Sequence, residues 1–178
     1  MSKKSLPLSK VYTLIEPGPV VLLTTAAYGQ ANVMAMSWHS MLEFEPPLVG
    51  CVVSNRNYSY SLLRKSRQCV INIPTVDIAD KVVGCGNTTG AKTDKFEKFG
   101  LTRGPAAVVQ VPLIQECYAN LECRIVDTSM VSKYAFFVLE VLNARADSKA
   151  KHPRTIHHFG YGSFMVAGET IKLRSKMR

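Results

Sequence analysis

The chain has 178 residues, and its 47% hydrophobic and 20% charged content is typical of a folded globular protein and excludes a disordered one. Lysine and arginine number 22 against 13 acidic residues, so the net charge of +9 favours anionic partners. No apolar stretch approaches the roughly 20 residues needed to cross a bilayer, which excludes a helical membrane protein.

A single domain is expected to span residues 1–178, with 1–16 as a basic lead-in and 169–178 as a basic tail. The first ten residues lack the apolar core of a signal peptide. The five cysteines form no CxxC pair, as expected for free thiols in a reducing compartment. We therefore expect a cytoplasmic protein without a membrane partner.

The first strongly patterned stretch predicts a β-hairpin. Val20–Leu23 is apolar and β-branched, Tyr28–Gln30 supplies a turn, and Asn32–Trp38 follows as the second strand. Because side chains alternate along a strand, Asn32, Trp38 and the two methionines between them share one face. An amide and an indole suit a flat, polar-edged ligand such as a flavin, whereas the methionines suit a core equally well.

The hairpin is followed by a predicted loop, His39–Pro47, and a buried strand, Leu48–Val53. Helical spacing follows over Tyr58–Lys65, with Asn57 as the expected N-cap. Ser59 then places a hydroxyl beside the exposed N–H groups of the first turn. Two interpretations stay open: a phosphate site at the helix start, or a capped helix alone.

Cys69–Ile73 is predicted as a strand, and helices are expected over Asp77–Val83 and Asp94–Phe99. The glycines of GCGNTTG have GxGxxxG spacing and no strand leading directly into them, which excludes a dinucleotide fingerprint. Lys92 or Lys95 supplies a charge for a phosphate, or else these lysines are solvated helix charges.

Two long strands are predicted in the last third, Ile114–Val126 and Tyr134–Ala146, connected by Asp127–Lys133. Leu101–Pro112 and the glycine- and aromatic-rich segment 157–169 are expected to be irregular. Many short strands with few helices predict a mainly β fold with short helices, either an antiparallel barrel or a sandwich.

Several kinds of site lack their sequence signature. The four histidines show no metal-site spacing, so no metal is expected. There is no GxSxG elbow or Walker loop, and no nucleic-acid-binding motif accompanies the basic charge. Catalytic residues stay unassigned, and no nucleic-acid partner is expected.

Five segments occur in an order that resembles the flavin reductase-like FMN-binding proteins, on the flavoredoxin side, over Pro17 to Gly168. They read VVLLTT, ANVMAMSW, PPLVGCVVSNRNYSYSLLRKSRQCVINIP, GCGNTTGAKTDKFEKFGL and ECYANLECRIV. The resemblance implies a split β-barrel of Greek-key type. It also implies a homodimer that holds FMN non-covalently near the dimer interface.

Carried over position by position, the resemblance implies a set of cofactor-binding residues. They are Asn32, Met36, Ser37, Trp38, Ser54, Asn55, Tyr58, Ser59, Lys92, Lys95, Lys133, Tyr161 and Phe164. Ser59 matches a hydroxyl near the phosphate or ribityl chain, and Lys95 matches the phosphate lysine. Lys133 lies where flavoredoxin-like members can carry a histidine, and the resemblance implies that its positive charge serves the N1–C2 edge of the isoalloxazine and stabilises the anionic reduced flavin. Either Tyr161 or Phe164 supplies the aromatic near the end.

Three functions follow from this resemblance and from the charge. The first is an oxidoreductase of the flavin reductase type, which moves electrons from NAD(P)H or a protein electron donor through bound FMN to a flavin or another acceptor. The second is a non-catalytic FMN electron carrier. The third is a cofactor-free basic module that binds nucleic acid, which predicts a colourless protein with salt-sensitive affinity.

Overall fold

The computed structural model describes residues 18–174, so the predicted lead-in and the last four residues of the predicted tail lie outside it. The strands within this range are β1 (Val21–Ala27), β2 (Gln30–Met36), β3 (His39–Phe44), β4 (Pro47–Val52), β5 (Gln68–Ile73), β6 (Arg103–Gly104), β7 (Leu113–Ile114), β8 (Ala119–Asp127), β9 (Phe136–Ala146), β10 (Ile156–Gly160) and β11 (Ser163–Val166). The helices are α1 (Tyr58–Ser66), α2 (Ala79–Asn87), α3 (Lys95–Lys98) and α4 (Val131–Tyr134), with a 3₁₀ turn at Val76–Ile78. The expected mainly β fold with short helices is confirmed.

Seven strands form one antiparallel sheet in the order β2-β1-β5-β8-β9-β4-β3. β2 and β3 are therefore its two edges, although only Ser37 and Trp38 separate them in the chain. Met36 and His39 are three residue steps apart and so at most about 11 Å from each other, and the sheet must curl until its edges approach. Within residues 18–174 no ladder joins β2 to β3, and the resulting barrel is split along this seam.

The first hairpin closes with the turn that the sequence predicts. Ala27 pairs with Gln30, which leaves Tyr28 and Gly29 as a two-residue loop. Both have positive φ, 54° and 74°, as a type I′ turn requires. This turn fixes the register in which Asn32 lies opposite Thr25.

The barrel interior forms one apolar cluster. Val21 and Leu23 of β1 lie inside it with Met36, and Leu63 of α1 and Val131 of α4 pack against it. Met34 packs at its margin, so the face predicted to carry both methionines is core at these positions. Trp38, by contrast, is 60% exposed beyond the end of β2.

A second apolar layer covers the outside of β1 and β2. Leu22 and Val33 face outward into it and meet Val82 of α2, Phe96 beside Lys95, and Ile156 of β10. All five cysteines are free and buried, three in the barrel (Cys51, Cys69, Cys123) and two in this outer layer (Cys85, Cys117). The outer layer positions the cavities described below.

Glu122 of β8 anchors the loop that precedes β7. Its buried carboxylate accepts N–H bonds from Ala107, Val108 and Val109 and a bond from the Asn143 amide, at 2.7–3.3 Å. Burial acts to raise the pKa of Glu122, but these donors outweigh it and hold the pKa below its ordinary value.

The prediction of irregular structure is wrong for two segments, because both form strands. His39–Phe44 is the edge strand β3, and its bulge between Met41 and Glu43 breaks the alternation that marks a strand. In the segment 157–169, Ile156–Gly160 pairs with Ser163–Val166 through a turn at Tyr161 and Gly162, both with positive φ. Backbone pairing, which residue type does not reveal, stabilises both strands.

Smaller differences concern element ends. α2 continues to Asn87 through glycines that were predicted to form turns, and Arg103–Gly104 makes a short ladder with Leu113–Ile114. The predicted connection 127–133 contains the start of α4. The longest helices in residues 18–174 have nine residues, too few to span a bilayer.

Candidate functional site

Two cavities lie side by side between β2, α2 and the start of α1. The large cavity has a volume of about 490 Å³ and the small cavity about 230 Å³. Ala35, Gly86 and Asn87 line both of them, so together they form one cleft. Because the two cavities are joined, the cleft can hold a ligand with two chemically different ends.

Asn32 and Ser59 form the floor of the small cavity. Both are buried, and Asn32 Nδ2 donates to Ser59 Oγ at 2.8 Å. Asn32 Oδ1 is also buried but has no hydrogen-bond partner within residues 18–174. Gly90 passes directly over this amide, since a Cβ there would come within 1.9 Å of Oδ1. The floor therefore offers an acceptor that none of the described residues satisfies.

The start of α1 forms a second side of the small cavity. Asn57 occupies the N-cap position as predicted, but its side chain caps no N–H group of the described residues. The first turn contains no acidic residue, and the cavity is lined by Arg56, Tyr58 and Ser59 as well as Asn57. First-turn N–H groups and the helix dipole both favour an anion at this end.

Lys95 enters the small cavity from α3. Asp94 caps that helix by accepting hydrogen bonds from the N–H groups of Phe96 and Glu97. This cap places Lys95 at the first position of the helix. Lys95 is only 4% exposed, and its Nζ donates to the carbonyls of Val33 (2.7 Å) and Cys85 (2.8 Å). A lysine ammonium has three N–H donors, so one is left for a ligand.

Burial lowers the pKa of Lys95 below the ordinary lysine value, and the nearby Cys85 opposes this only in part. The interpretation of Lys95 as a solvated helix charge is wrong, because the side chain is buried. Lys98, one turn later, is exposed with its Nζ 5.6 Å from the Phe99 ring centre. A bound anion would favour the charged form of Lys95.

The large cavity has mostly apolar walls. Val20, Val82 and Val83 lie along it, and Ser37 adds a hydroxyl at the end of β2. The β10–β11 hairpin closes one side with a group of three residues, His158, Tyr161 and Phe164. The His158 and Phe164 rings lie 5.0 Å apart at 41°. This cavity suits a flat ring system with a polar edge.

The structure brings about half of the predicted cofactor-binding residues into the cleft. Those that line it are Asn32, Ser37, Tyr58, Ser59, Lys95, Tyr161 and Phe164. Tyr161 and Phe164 both do so, and which of them contacts a cofactor stays a prediction. Tyr58 also donates from its hydroxyl to the Gln30 side chain.

The other predicted residues line neither cavity of the described structure. Met36 lies in the barrel core, and Lys92 lines an adjoining open cavity that meets the small one at Gly90. Trp38 is at the seam, where its carbonyl accepts the Val52 N–H, and Ser54 and Asn55 lie between β4 and α1, where the Ser54 carbonyl accepts the Asn57 N–H. Lys133 is on α4, with its Nζ 5.1 Å from the Tyr134 ring centre. Their roles toward a cofactor stay predictions.

Sequence reasoning missed the loop after α2 and one histidine. Asn87, Thr88, Thr89 and Gly90 line the small cavity, and His158 lines the large one. The glycines of GCGNTTG were the available signal, because Gly90 is required by its close approach to the Asn32 amide. For His158 no signal existed, since its segment was predicted to be irregular.

The family model described as flavin reductase like domain matches residues 14–164, so the chain belongs to the flavin reductase-like family. Among its relatives, the uncharacterised Escherichia coli (strain K12) protein YddH is 32% identical over 89% of this chain and 91% of that protein.

Solved structures show the same architecture. A crystal structure described as an FMN-binding domain of flavin reductases-like enzyme, from Shewanella baltica OS155, is 26% identical with a TM-score of 0.84, covering 96% of this chain and 97% of that one. Flavoredoxin of Desulfovibrio vulgaris (Miyazaki F) has a TM-score of 0.87 at 21% identity, with 98% of each chain covered, which shows likeness of fold. The expected family relationship and split-barrel fold are confirmed.

Proposed function

We propose that this protein is an FMN-binding oxidoreductase of the flavin reductase type. FMN would occupy the cleft with its phosphate end in the small cavity and its ring in the large one, and NAD(P)H or a protein donor would supply electrons. The observation that carries the proposal is the small cavity, where a buried ammonium, a buried hydroxyl and a helix start converge. Membership of the flavin reductase-like family supports it.

The donors of the small cavity fit a phosphate group. Phosphate oxygens only accept hydrogen bonds at neutral pH, and Lys95 has one N–H left to donate. Ser59 Oγ accepts from Asn32, so its own O–H proton is available to donate. The first-turn N–H groups of α1 add further donors.

The unsatisfied Asn32 Oδ1 fits a different part of FMN. As an acceptor it cannot bind phosphate, but it can accept from a hydroxyl such as those of the ribityl chain. A site with donors at one end and an acceptor beside them matches a hydroxylated chain that ends in a phosphate. The residues present therefore fit FMN.

The large cavity would supply the environment of the ring. Val20, Val82 and Val83 would exclude water, while Ser37 and Asn87 would bond polar ring edges. Bound FMN would supply two-electron transfer. The protein would contribute binding, orientation and the electrostatic field at the ring.

A homodimer is part of this proposal, because the seam exposes apolar surface. On the edge strand β3, Met41 is 54% and Phe44 is 85% exposed, and Trp38 lies just before this strand. Exposed apolar edge strands favour association, and a second copy of the chain would cover this one. Sedimentation velocity tests it: a single species with twice the chain mass supports the proposal, and a monomer at micromolar concentration refutes it.

The deciding experiment uses the purified protein under anaerobic conditions. We expect a yellow protein, or a colourless one that binds added FMN, with chromatography identifying FMN. Addition of NADH or NADPH should bleach the flavin absorbance. A flavin that binds but is reduced by neither nicotinamide would favour the electron carrier, and a protein that binds no flavin would refute the proposal.

Riboflavin gives a matched control for the small cavity. It has the same ring and ribityl chain as FMN but lacks the phosphate, so we expect it to bind at least about tenfold more weakly, as expected for loss of one charged hydrogen bond. Equal affinity for riboflavin and FMN would show that the small cavity holds no phosphate.

A further inference from the structure

We propose that His158 provides the positive charge that stabilises the reduced flavin in the large cavity. This inference rests on the proposed function, because it requires flavin to bind in the cleft. It assigns a role to a residue that the sequence did not single out and that lies apart from the phosphate-binding groups.

His158 is positioned with its ring in the cavity and its nitrogens available. It lies on β10 opposite Phe164 of β11, is half-buried, and packs its ring against the Phe164 ring. Neither ring nitrogen has a hydrogen-bond partner within residues 18–174. The preceding His157 differs, because its Nε2 is 3.1 Å from Thr155 Oγ1 and it does not line the cavity.

His158 is also the one side chain that can become cationic among the described residues lining the large cavity. β2 contributes Ala35, Ser37 follows β2 directly, and the lining residues of α2 are Val82, Val83, Gly86 and Asn87. Tyr161, at the tip of the β10–β11 hairpin, is the other titratable residue, and it can only become anionic.

Lys133, the cation suggested by resemblance, is less well placed. It lies on α4, its side chain is exposed, and it lines neither cavity of the described structure. Its ammonium lies near the Tyr134 ring. The two assignments therefore predict different results, because the substitution that weakens binding of reduced flavin would be at His158 in one case and at Lys133 in the other.

The reduced flavin ring carries a negative charge that a nearby cation would offset. Uptake of two electrons and one proton by the neutral oxidised ring leaves one net negative charge on the reduced ring. An imidazolium against the ring would offset that charge and favour the reduced state. Apolar walls would strengthen the attraction, because they keep out screening water. Replacing His158 should therefore weaken binding of reduced flavin more than binding of oxidised flavin.

The test measures the ratio of affinities for reduced and oxidised FMN. The reduction potential of protein-bound FMN would be titrated at pH 6 with dithionite and a reference dye, and compared with that of free FMN. His158→Gln should lower the reduced-to-oxidised affinity ratio by about tenfold, which equals about 30 mV for a two-electron couple. His158→Lys, which keeps a positive charge, should restore most of the ratio.

One further variant serves as a matched control. His157→Gln replaces the same residue type on the side of β10 away from the cavity and should leave the ratio unchanged.

The outcomes separate this inference from the proposed function. If FMN binds but His158→Gln leaves the ratio unchanged, or if Lys133→Gln lowers it instead, the role of His158 is refuted and the proposed function stands. If wild-type protein binds no FMN, both are refuted.

Discussion

Lys95→Met removes the ammonium from the small cavity while keeping an unbranched side chain of similar length. The wild-type ammonium holds the carbonyls of Val33 at 2.7 Å and Cys85 at 2.8 Å, and its remaining N–H is the proposed phosphate donor. The substitution therefore perturbs two things, the attachment of α3 to the edge strand β2 and the charge presented to the ligand.

The magnitudes distinguish these two effects. Each charged hydrogen bond contributes about 1.5–3 kcal/mol, but burying the ammonium costs several kcal/mol in desolvation, which offsets most of the gain from the two carbonyls. The free energy of unfolding should thus change by less than about 2 kcal/mol. For FMN the lost phosphate bond is not offset in this way, so affinity should fall by about 10- to 150-fold.

The assay is FMN titration followed by flavin fluorescence, with urea unfolding of the same samples. Lys98→Met is the matched control, because it removes an exposed lysine from the same helix and should leave the FMN affinity unchanged. An FMN dissociation constant for Lys95→Met within twofold of wild type would refute the assignment of Lys95 to the phosphate.

A pH series sharpens the same prediction. Burial lowers the pKa of Lys95, and a bound phosphate favours the protonated ammonium, so affinity is full below the pKa of the free protein. It should fall as the pH rises through that pKa, at a lower pH than for an ordinary lysine. Lys95→Met should lack this component, and Lys98→Met should retain it together with any titration of FMN itself.

Two other substitutions test the architecture around the cleft. Gly90→Ala places a Cβ within 1.9 Å of Asn32 Oδ1, so FMN affinity and melting temperature should both fall, whereas Gly86→Ala, with its nearest atom at 3.5 Å, should leave the melting temperature unchanged or raise it. Equal melting temperatures for the two variants would contradict the close approach. Glu122→Gln should lower the free energy of unfolding at pH 7 by about 1–3 kcal/mol, because an amide cannot accept all the N–H groups of residues 107–109. The depressed pKa of Glu122 means that its stabilisation is present above the unfolded-state pKa and disappears as pH falls through the folded-state pKa, so unfolding curves at pH 7 and pH 3 should differ less in the variant than in wild type.

The sequence was sufficient to predict strands and turns where the local residue pattern agrees with the burial in the fold. The barrel strands β1, β5, β8 and β9 have continuous or alternating apolar residues, and the Tyr28–Gly29 turn has residues suited to a hairpin. It was insufficient for β3 and for the β10–β11 hairpin. Those strands exist because a neighbouring backbone is available to pair with, a condition set by the closed fold and not by their own residues.

The site residues also divide into those that the sequence could predict and those that it could not. Helical spacing and the N-cap pattern located Ser59 beside exposed N–H groups, and resemblance singled out Lys95. The burial of Lys95 could not be foreseen, because α3 is one turn long and its contacts come from β2 and α2. Gly90 and His158 became visible only when distant segments were brought together.

The reactivity of the buried cysteines would report local unfolding of the chain. Burial raises the pKa of Cys51 to about 12 and of Cys85 to about 11, and a thiol reacts as its thiolate, so in the folded protein both should resist alkylation. Cys51 belongs to the barrel and Cys85 to the outer layer beside the cleft. The time course of labelling at each, read by mass spectrometry, would therefore report whether the outer layer detaches before the barrel unfolds.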